Sequence, residues 1–200
     1  MKKILHIISS PRGAASFSIK LGNAIIEKIQ ATYPGSTVKE SNLVKHQFPH
    51  LEEAHLNAFF TPAENRTPEN LTAIKHSNDA IQDLQDADII VIGAPLYNFN
   101  IHSTLKAWID HIARAGITFN YSEHGPEGLL KGKKVYVAIA SGGIYSEGHM
   151  QQMDFISPYL KAVLGFLGMT DISIFRVEGS SMPGMAESAL AKGINSIQID

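Results

Sequence analysis

Short apolar runs recur along the chain, and segments with a helical spacing of hydrophobic residues separate them. Four of these runs are mostly apolar and rich in β-branched residues, which is typical of strands buried on both faces of a parallel sheet. They lie at 4–8, 89–93, 135–140 and 172–177. A more polar stretch at 37–43 alternates weakly and predicts a strand nearer the edge of the sheet. His6 lies inside the first run, and we expect a core histidine with satisfied hydrogen bonds.

Apolar residues three or four positions apart form stripes between these strands, and such stripes predict amphipathic helices. The first helix follows an N-cap at Ser16 or Ser18. The others are predicted at 67–86, 103–115 and 155–167 and after Pro183. Strands and helices therefore alternate five times, which predicts an α/β fold with a parallel sheet and helices on both faces. Five strands favour the flavodoxin-like order 2-1-3-4-5, in a single domain over residues 1–200.

Residues 44–69 interrupt the alternation because they follow no clean period. Single apolar residues are interspersed there with Pro, His, Asn and Glu, so we expect a solvated excursion that packs a few aromatic residues on a partner. Its histidines His46, His50 and His55 raise the question of a metal site. No helical pattern and no fixed carboxylate holds them together, so zinc binding is not expected.

Three distinctive loops follow the strands that this order makes neighbours. The loop at 9–18 is rich in hydroxyl groups and leads into a helix N-terminus, a combination that binds anions such as phosphate. The loop at 94–101 has two aromatic side chains and two amides, which suit the face and the edge of a flat ring. The loop at 141–145 begins Ser-Gly-Gly and allows close approach to the backbone. A flat ring joined by a polar chain to one phosphate, as in FMN, satisfies all three loops.

Each loop also has an ordinary structural interpretation when it is considered alone. The first is consistent with a capped helix after a Pro-Arg-Gly turn, the second with a plain βα connection, and the third with a tight loop. Neither a G-x-G-x-x-G fingerprint nor a Walker A motif occurs, which disfavours NAD binding through the fingerprint and NTP binding through a P-loop. The convergence of the three loops at one sheet edge is what favours the flavin.

Composition and charge narrow the class of protein. The 200 residues and 44% hydrophobic content fit one domain with a full core. A net charge of −2 implies no basic face, so neither nucleic acid nor an anionic membrane is expected as a partner. The chain has no cysteine, so redox chemistry has to come from a bound cofactor. No apolar run approaches the ~20 residues that span a bilayer, and the apolar start is too short for a signal peptide, so a cytoplasmic protein is expected.

Several segments together resemble one enzyme family. They are Ala94-Pro95-Leu96-Tyr97-Asn98-Phe99-Asn100-Ile101, Leu105-Lys106, the stretch 113–119, the stretch 125–129, Ser141-Gly142-Gly143-Ile144 and the stretch 164–168. Over nearly its whole length the chain is similar to the FMN-dependent NADH-azoreductases, within the wider NAD(P)H:quinone oxidoreductase group of flavodoxin-like enzymes. The resemblance implies a homodimer with its active site at the subunit interface. It also implies a ping-pong scheme, in which NADH reduces FMN and leaves before a quinone or an azo compound takes its place.

The resemblance implies roles for individual residues as well. The FMN phosphate would be held by Ser10, Ser16, Phe17 and Ser18. The flavin ring would be lined by Leu96, Tyr97, Asn98 and Phe99, and its site would be completed by Ala140, Ser141, Gly142 and Gly143. Ser141 stands where many relatives have Arg, which puts the substrate preference in question but not the binding of flavin.

The chemistry expected of such a site is hydride transfer between stacked nicotinamide and flavin rings, with no obligate acid or base from the protein. Asn98 and the backbone N–H groups near Gly142-Gly143 are candidates for stabilising negative charge on the flavin. Phe119 and Tyr121, in a predicted hairpin or flap, are candidates either for walls of the acceptor pocket or for dimer packing. Tyr145 or a histidine is a candidate proton donor to the acceptor, a role that solvent can also fill.

Two other classes share this topology. A flavodoxin-type electron carrier binds FMN without enzymatic turnover, but such carriers are usually more acidic than this chain. A receiver-type signalling domain needs an Asp just after strand 3 and an acidic cluster after strand 1, where this chain has Pro95 and Ser9-Ser10. We therefore expect an enzyme and keep the electron carrier as the alternative.

Overall fold

A five-stranded parallel sheet in the order β2-β1-β3-β6-β7 organises the computed structural model, which describes residues 1–199 and every side chain among them but that of Glu187. Its strands are β1 (Lys3–Ile8), β2 (Thr37–Asn42), β3 (Ile89–Pro95), β6 (Lys134–Ala140) and β7 (Asp171–Val177). The remaining strands, β4 (Phe119–Ser122) and β5 (Gly125–Gly128), form an antiparallel hairpin. Counted without the hairpin, the order is the predicted 2-1-3-4-5, so the flavodoxin-like parallel sheet is confirmed.

The helices of the described chain connect these strands. They are α1 (Phe17–Thr32), α2 (Glu53–Phe60), α3 (Pro68–Ala73), α4 (Lys75–Asp86), α5 (Ser103–Ile112), α6 (Ile156–Phe166) and α7 (Ala186–Asn195). The stripe predicted as one helix at 67–86 is divided at Ile74, whose φ of −90° and ψ of 1° interrupt the α-helix. The last helix begins after Pro183 but only at Ala186, because Gly184 adopts a left-handed φ of 73°. None of the described helices combines the length and the apolar character needed to cross a membrane.

Alternate residues of the buried strands point to opposite faces of the sheet and fill two separate cores. Ile90 and Ile92 of β3 belong to the core that also contains residues of α4, α5 and α6. Ile89 and Val91 belong to the other, together with residues of α1 and α7. Burial on both faces explains why the central strands are continuous apolar runs, and the exposed positions of β2 explain its weaker pattern.

The segment 44–69 is more ordered than its sequence predicted. It contains α2, and its Phe48 packs against the main core, with its ring 5.5 Å from that of His111 on α5. Most of the segment is exposed, as expected of a solvated excursion, but Phe48 packs on the core of this chain itself. The periodicity was hidden because the buried residues of α2 are His55 and Ala58 rather than large hydrophobics. Among the described residues no group of three or more potential ligands is arranged for a metal ion.

His6 lies in the middle of β1 and is only 2% exposed, but its Nε2 has no hydrogen-bond partner among the described residues. The prediction that His6 lies in the core is confirmed, whereas the prediction that its hydrogen bonds are satisfied was wrong. Helix α1 approaches the ring so closely that a Cβ at Gly22 would lie 2.8 Å from Nε2. Burial lowers the pKa of His6 to about 4, because charging the ring inside the core is costly.

We expect His6 to make the fold sensitive to mild acid. Its pKa falls from 6.5 in the unfolded chain to about 4 in the fold, so the unfolded state binds the proton first as the pH falls. This contribution to stability is complete above pH 6.5 and is lost progressively towards pH 4, with a loss of about 2 kcal/mol by about pH 5. Urea unfolding of the wild type and of His6→Leu at both neutral and acidic pH measures it. Equal losses of unfolding free energy in the two proteins would contradict the assignment to His6.

Candidate active site

The carboxyl ends of β1, β3 and β6 lie side by side and bring three loops together. The strand register pairs Ile8 with Gly93 and Pro95 with Ala140. The hydroxyl of Ser9 donates a buried hydrogen bond of 2.7 Å to the carbonyl of Gly93, which ties the first loop to β3. The Leu96 N–H donates to the carbonyl of Ala140 at 2.8 Å, which ties the second loop to β6. The loops after these three strands therefore share one sheet edge, as expected from the strand order.

The first loop presents buried hydroxyl groups around the start of α1. Ser10, Ser16 and Ser18 are 4%, 2% and 0% exposed. The oxygen of Ser16 accepts the N–H of Ile19 at 3.3 Å and lies 3.0 Å from the Ser18 oxygen, so Ser16 is the N-cap. The N–H groups at the start of α1 have no acceptor within the helix, and the positive end of the helix dipole lies there. Phe17, half-buried, follows the cap. Hydroxyl and backbone donors of this kind suit a phosphate group.

The second loop makes a tight turn with two left-handed residues. Tyr97 and Asn100 exchange backbone hydrogen bonds of 3.0 Å in both directions, and between them Asn98 and Phe99 have φ values of 49° and 69°. Two successive residues of positive φ define a type I′ turn, which suits Asn but is unusual for Phe. Backbone outliers of this kind concentrate at binding sites. The ring of Phe99 stays 38% exposed at the sheet edge.

A cleft of about 630 Å³ opens beside this turn, within the size range of small-molecule sites. It is lined by Pro11, Tyr97, Asn98, Asn100, Ile101, His102, Ser103, Lys106 and Tyr159. Three of these residues, His102, Lys106 and Tyr159, were not among the site residues predicted from the sequence. His102 caps α5, its ring lies 5.6 Å from that of Tyr97, and burial lowers its pKa. Burial raises the pKa of Tyr159. The available signal was the position of His102, directly before a helical stripe.

The third loop is compact, and side chains of the protein lie close to both of its glycines. Ser141 is 3% exposed and donates from its hydroxyl to the carbonyl of Gly143 at 2.8 Å. A Cβ at Gly142 would lie 2.7 Å from the Ser181 oxygen, and one at Gly143 would lie 3.3 Å from the ring of Tyr145. The close approach inferred from Gly-Gly is therefore made in this structure by residues of the protein itself.

A fourth loop, at 178–181 after β7, holds the third loop in place and was not anticipated. Backbone N–H groups of Gly179, Ser180 and Ser181 donate to carbonyls in the stretch 141–143 at 3.0 to 3.2 Å. The carboxylate of Glu178 accepts the backbone N–H of Tyr145 at 2.8 Å. The available signal was a polar Glu-Gly-Ser-Ser segment at the carboxyl end of the fifth parallel strand.

The candidate aromatic residues fall into two separate groups. Phe99 and Tyr145 lie together at the sheet edge, with ring centroids 6.3 Å apart. On the hairpin, Phe119 packs against Phe166 of α6 at 4.5 Å and against Tyr121 at 5.6 Å. Within residues 1–199, no ring contact joins these hairpin aromatics to the loops of the sheet edge. Tyr121 is 74% exposed, and Phe119 is anchored on α6.

Comparison with known proteins agrees with this geometry. The profile of a family described as having a flavodoxin-like fold matches residues 2–198. An FMN-dependent NADH:quinone oxidoreductase of Herminiimonas arsenicoxydans is 52% identical over 198 residues, which cover 98% of this chain and 97% of the relative. One of Mesorhizobium japonicum is 47% identical over 190 residues, which cover 94% and 90% of the two chains.

Solved structures give the same result. The structure of an azoreductase from Bacillus anthracis superposes with a TM-score of 0.89 at 31% identity and covers 98% of this chain and 96% of that one. An FMN-dependent NADH-azoreductase from the same species, in complex with FMN, superposes with a TM-score of 0.85 at 30% identity, with 98% and 97% of the chains covered. The chain therefore belongs to the flavodoxin-like family that contains the FMN-dependent NADH:quinone oxidoreductases and azoreductases.

Proposed function

We propose that the protein is an FMN-dependent oxidoreductase that transfers two electrons from NADH through bound FMN to quinones, and to azo compounds whose azo bond it cleaves. One observation carries the proposal. The start of α1, whose hydroxyl and N–H groups suit a phosphate, lies at the same sheet edge as the turn that presents aromatic rings and the Asn98 amide. The names of close relatives support the reaction, since they are NADH:quinone oxidoreductases at 52% and 47% identity.

The donor set of the first loop fits the phosphate of FMN. Its oxygens would be bound by the backbone N–H of Phe17 and by the hydroxyls of Ser10, Ser16 and Ser18. The stretch 9–20 contains Arg12 and Lys20 and no acidic residue, so no fixed negative charge in it opposes an anion. This agreement between charge, burial and hydrogen-bond donors supports assigning the first loop to the phosphate.

The second and third loops fit the ring of FMN. Leu96, Tyr97, Asn98 and Phe99 would line it, and Ala140, Ser141, Gly142 and Gly143 would complete the site. The left-handed turn holds the Asn98 amide at the cleft, where it would bind the ring edge. Bound FMN supplies the hydride and electron transfer. The protein's part is to orient the stacked rings, to exclude water and to place hydrogen-bond donors where negative charge develops.

The assembly and the reaction order are part of the same proposal. We expect a homodimer with the active site at the subunit interface, and the exposed Tyr121 and Phe60 (74% and 79%) supply apolar surface for it. We expect residues 1–200 to act as one domain.

A ping-pong order follows if nicotinamide and acceptor stack on the same face of the flavin ring in turn. Tyr145 would stand beside the acceptor, and the cytoplasm, where NADH is available, is the proposed compartment.

The test is spectroscopic. We expect the purified protein to be yellow, to lose its colour when NADH is added under anaerobic conditions, and to regain it when a quinone follows. A colourless protein that FMN cannot reconstitute would refute the proposal. A yellow protein that NADH cannot bleach would instead favour the non-enzymatic flavodoxin-type electron carrier.

We expect Asn98→Gly to slow the bleaching of bound FMN by NADH at least about tenfold, because the amide no longer stabilises the charge that develops on the ring. Glycine is the right replacement, since it retains the left-handed φ of 49° that alanine would strain. Retention of FMN should change little. Stopped-flow absorbance measures the rate, and Asn195→Gly, an exposed position at the end of α7, is the matched control. An unchanged rate would exclude this role for Asn98.

A further inference from the structure

A half-buried ion-pair group at the carboxyl end of β7 connects two walls of the candidate site. The guanidinium of Arg176 donates from Nη2 to the Asp154 carboxylate at 2.5 Å, and its Nη1 lies 3.6 Å from Glu178 Oε1. The three side chains are 19%, 8% and 13% exposed, so solvent screens these charges only weakly. We call this group, Asp154, Arg176 and Glu178, the β7 triad.

One arm of the β7 triad holds the loop that carries Tyr145. Glu178 Oε1 accepts the backbone N–H of Tyr145 at 2.8 Å, and Oε2 accepts the hydroxyl of Ser146 at 2.5 Å. Both carboxylate oxygens are therefore used to anchor two successive residues of this loop. The Tyr145 ring lies close to the backbone of Gly143, where a Cβ built on the glycine would come within 3.3 Å of it. The position of the ring thus depends on the carboxylate of Glu178.

The other arm holds the backbone on which Phe99 depends. Asp154 Oδ1 accepts the N–H groups of Ile156 and Ser157, both at 3.1 Å, and so caps the start of α6. Between Asp154 and that helix, the N–H of Phe155 donates to the carbonyl of Phe99 at 3.3 Å. Burial alone would raise the pKa of Asp154, but hydrogen bonds from Ser157 and Arg176 and the Arg176 charge outweigh it, so that the pKa lies below its usual value and the carboxylate stays charged.

The two arms end on a pair of rings that touch each other. Phe99 and Tyr145 have centroids 6.3 Å apart and planes inclined by 70°. We propose that the β7 triad is a positioning device that sets the distance between Phe99 and Tyr145, and through it selects which flat conjugated acceptors enter the site. The inference rests on the proposed oxidoreductase function. The members of the triad are positioning residues, because they act through the two aromatic rings.

Steady-state kinetics with two acceptors, a single-ring benzoquinone and a three-ring anthraquinone, test the inference in the FMN-loaded protein. We expect Glu178→Ala to raise KM for the benzoquinone about fivefold or more and to lower the ratio of kcat/KM for the benzoquinone to kcat/KM for the anthraquinone, relative to the wild type. The rate at which NADH bleaches FMN should stay within about twofold of the wild type, since that step does not use the acceptor. Glu178→Gln keeps an oxygen acceptor for the Tyr145 N–H, so it should recover most of the KM. Glu147→Ala, an exposed acid in the same loop, is the control.

A double-mutant cycle shows whether Glu178 acts through Tyr145. If it does, adding Glu178→Ala to Tyr145→Ala changes KM little further, because the ring that Glu178 positions is already absent. Provided that the wild type reduces quinones, two results would overturn the inference. One is that the two substitutions have additive effects on KM, and the other is that Glu178→Ala leaves KM and acceptor preference unchanged. A wild type that binds FMN but reduces no quinone would instead overturn the proposed function, and this inference with it.

Discussion

Ser16→Asp is expected to lower the affinity for FMN at least about 100-fold while α1 stays folded. Aspartate is as good an N-cap as serine, so the cap that Ser16 provides to the N–H of Ile19 is retained. The new carboxylate, however, would face the phosphate in a site where Ser16 is only 2% exposed, so the repulsion is poorly screened. Titration of the apoprotein with FMN, followed by quenching of flavin fluorescence, measures the loss.

Ser16→Asn is the matched control for this experiment. Asparagine has the size and the capping ability of aspartate but carries no charge, so this variant shows how much the added volume alone lowers the affinity for FMN. We expect the Asn variant to bind FMN far better than the Asp variant. If both variants bind FMN equally well, the phosphate does not lie at the start of α1, and the assignment of the first loop fails.

Gly128→Ala is expected to reduce the free energy of unfolding by about 3 to 4 kcal/mol. Strand β5 lies directly against the end of α6, where a Cβ at Gly128 would be 2.0 Å from the nitrogen of Gly168 and 2.3 Å from the carbonyl carbon of Leu167. Both atoms belong to the backbone and cannot rotate away, so the hairpin has to separate from α6. Urea unfolding, monitored by circular dichroism, gives the change in free energy.

Gly165→Ala, on the same helix, is the control for this substitution. A Cβ at Gly165 meets nothing within 4 Å, and alanine is the better helix former, so the variant should be unchanged or slightly more stable. Similar losses of stability in both variants would show that the contact between β5 and α6 is not what requires Gly128. If the proposed homodimer uses Phe119 and Tyr121 of the hairpin, it should dissociate more readily in Gly128→Ala than in Gly165→Ala.

Local patterns in the sequence were sufficient for the sheet and for the location of the candidate site. Four of the parallel strands follow from their apolar runs, since a strand buried on both faces needs hydrophobic residues on both, and the edge strand β2 follows from its weak alternation. The strand order and right-handed crossovers typical of α/β folds predicted that the loops after β1, β3 and β6 lie next to each other, before any contact was known. The N-cap was predictable to within two residues, Ser16 or Ser18, because capping depends on residues within one helical turn, and the structure shows that it is Ser16.

Other features depend on contacts between residues that are remote in the chain. Three features arise where elements pack, and no local period encodes them: the burial of His55 and Ala58 on α2, the lack of a partner for His6 Nε2 among the described residues, and the glycine contact between β5 and α6. The β7 triad joins Arg176 to Asp154, 22 positions away, and Glu178 to Tyr145, 33 positions away, through side-chain geometry that only packing establishes. The sequence by itself determined the sheet, its strand order and the loops that meet at its edge, because periodicity and connection rules are local. Only the tertiary structure decided which side chains hold those loops in place, because that depends on distances between elements that periodicity does not specify.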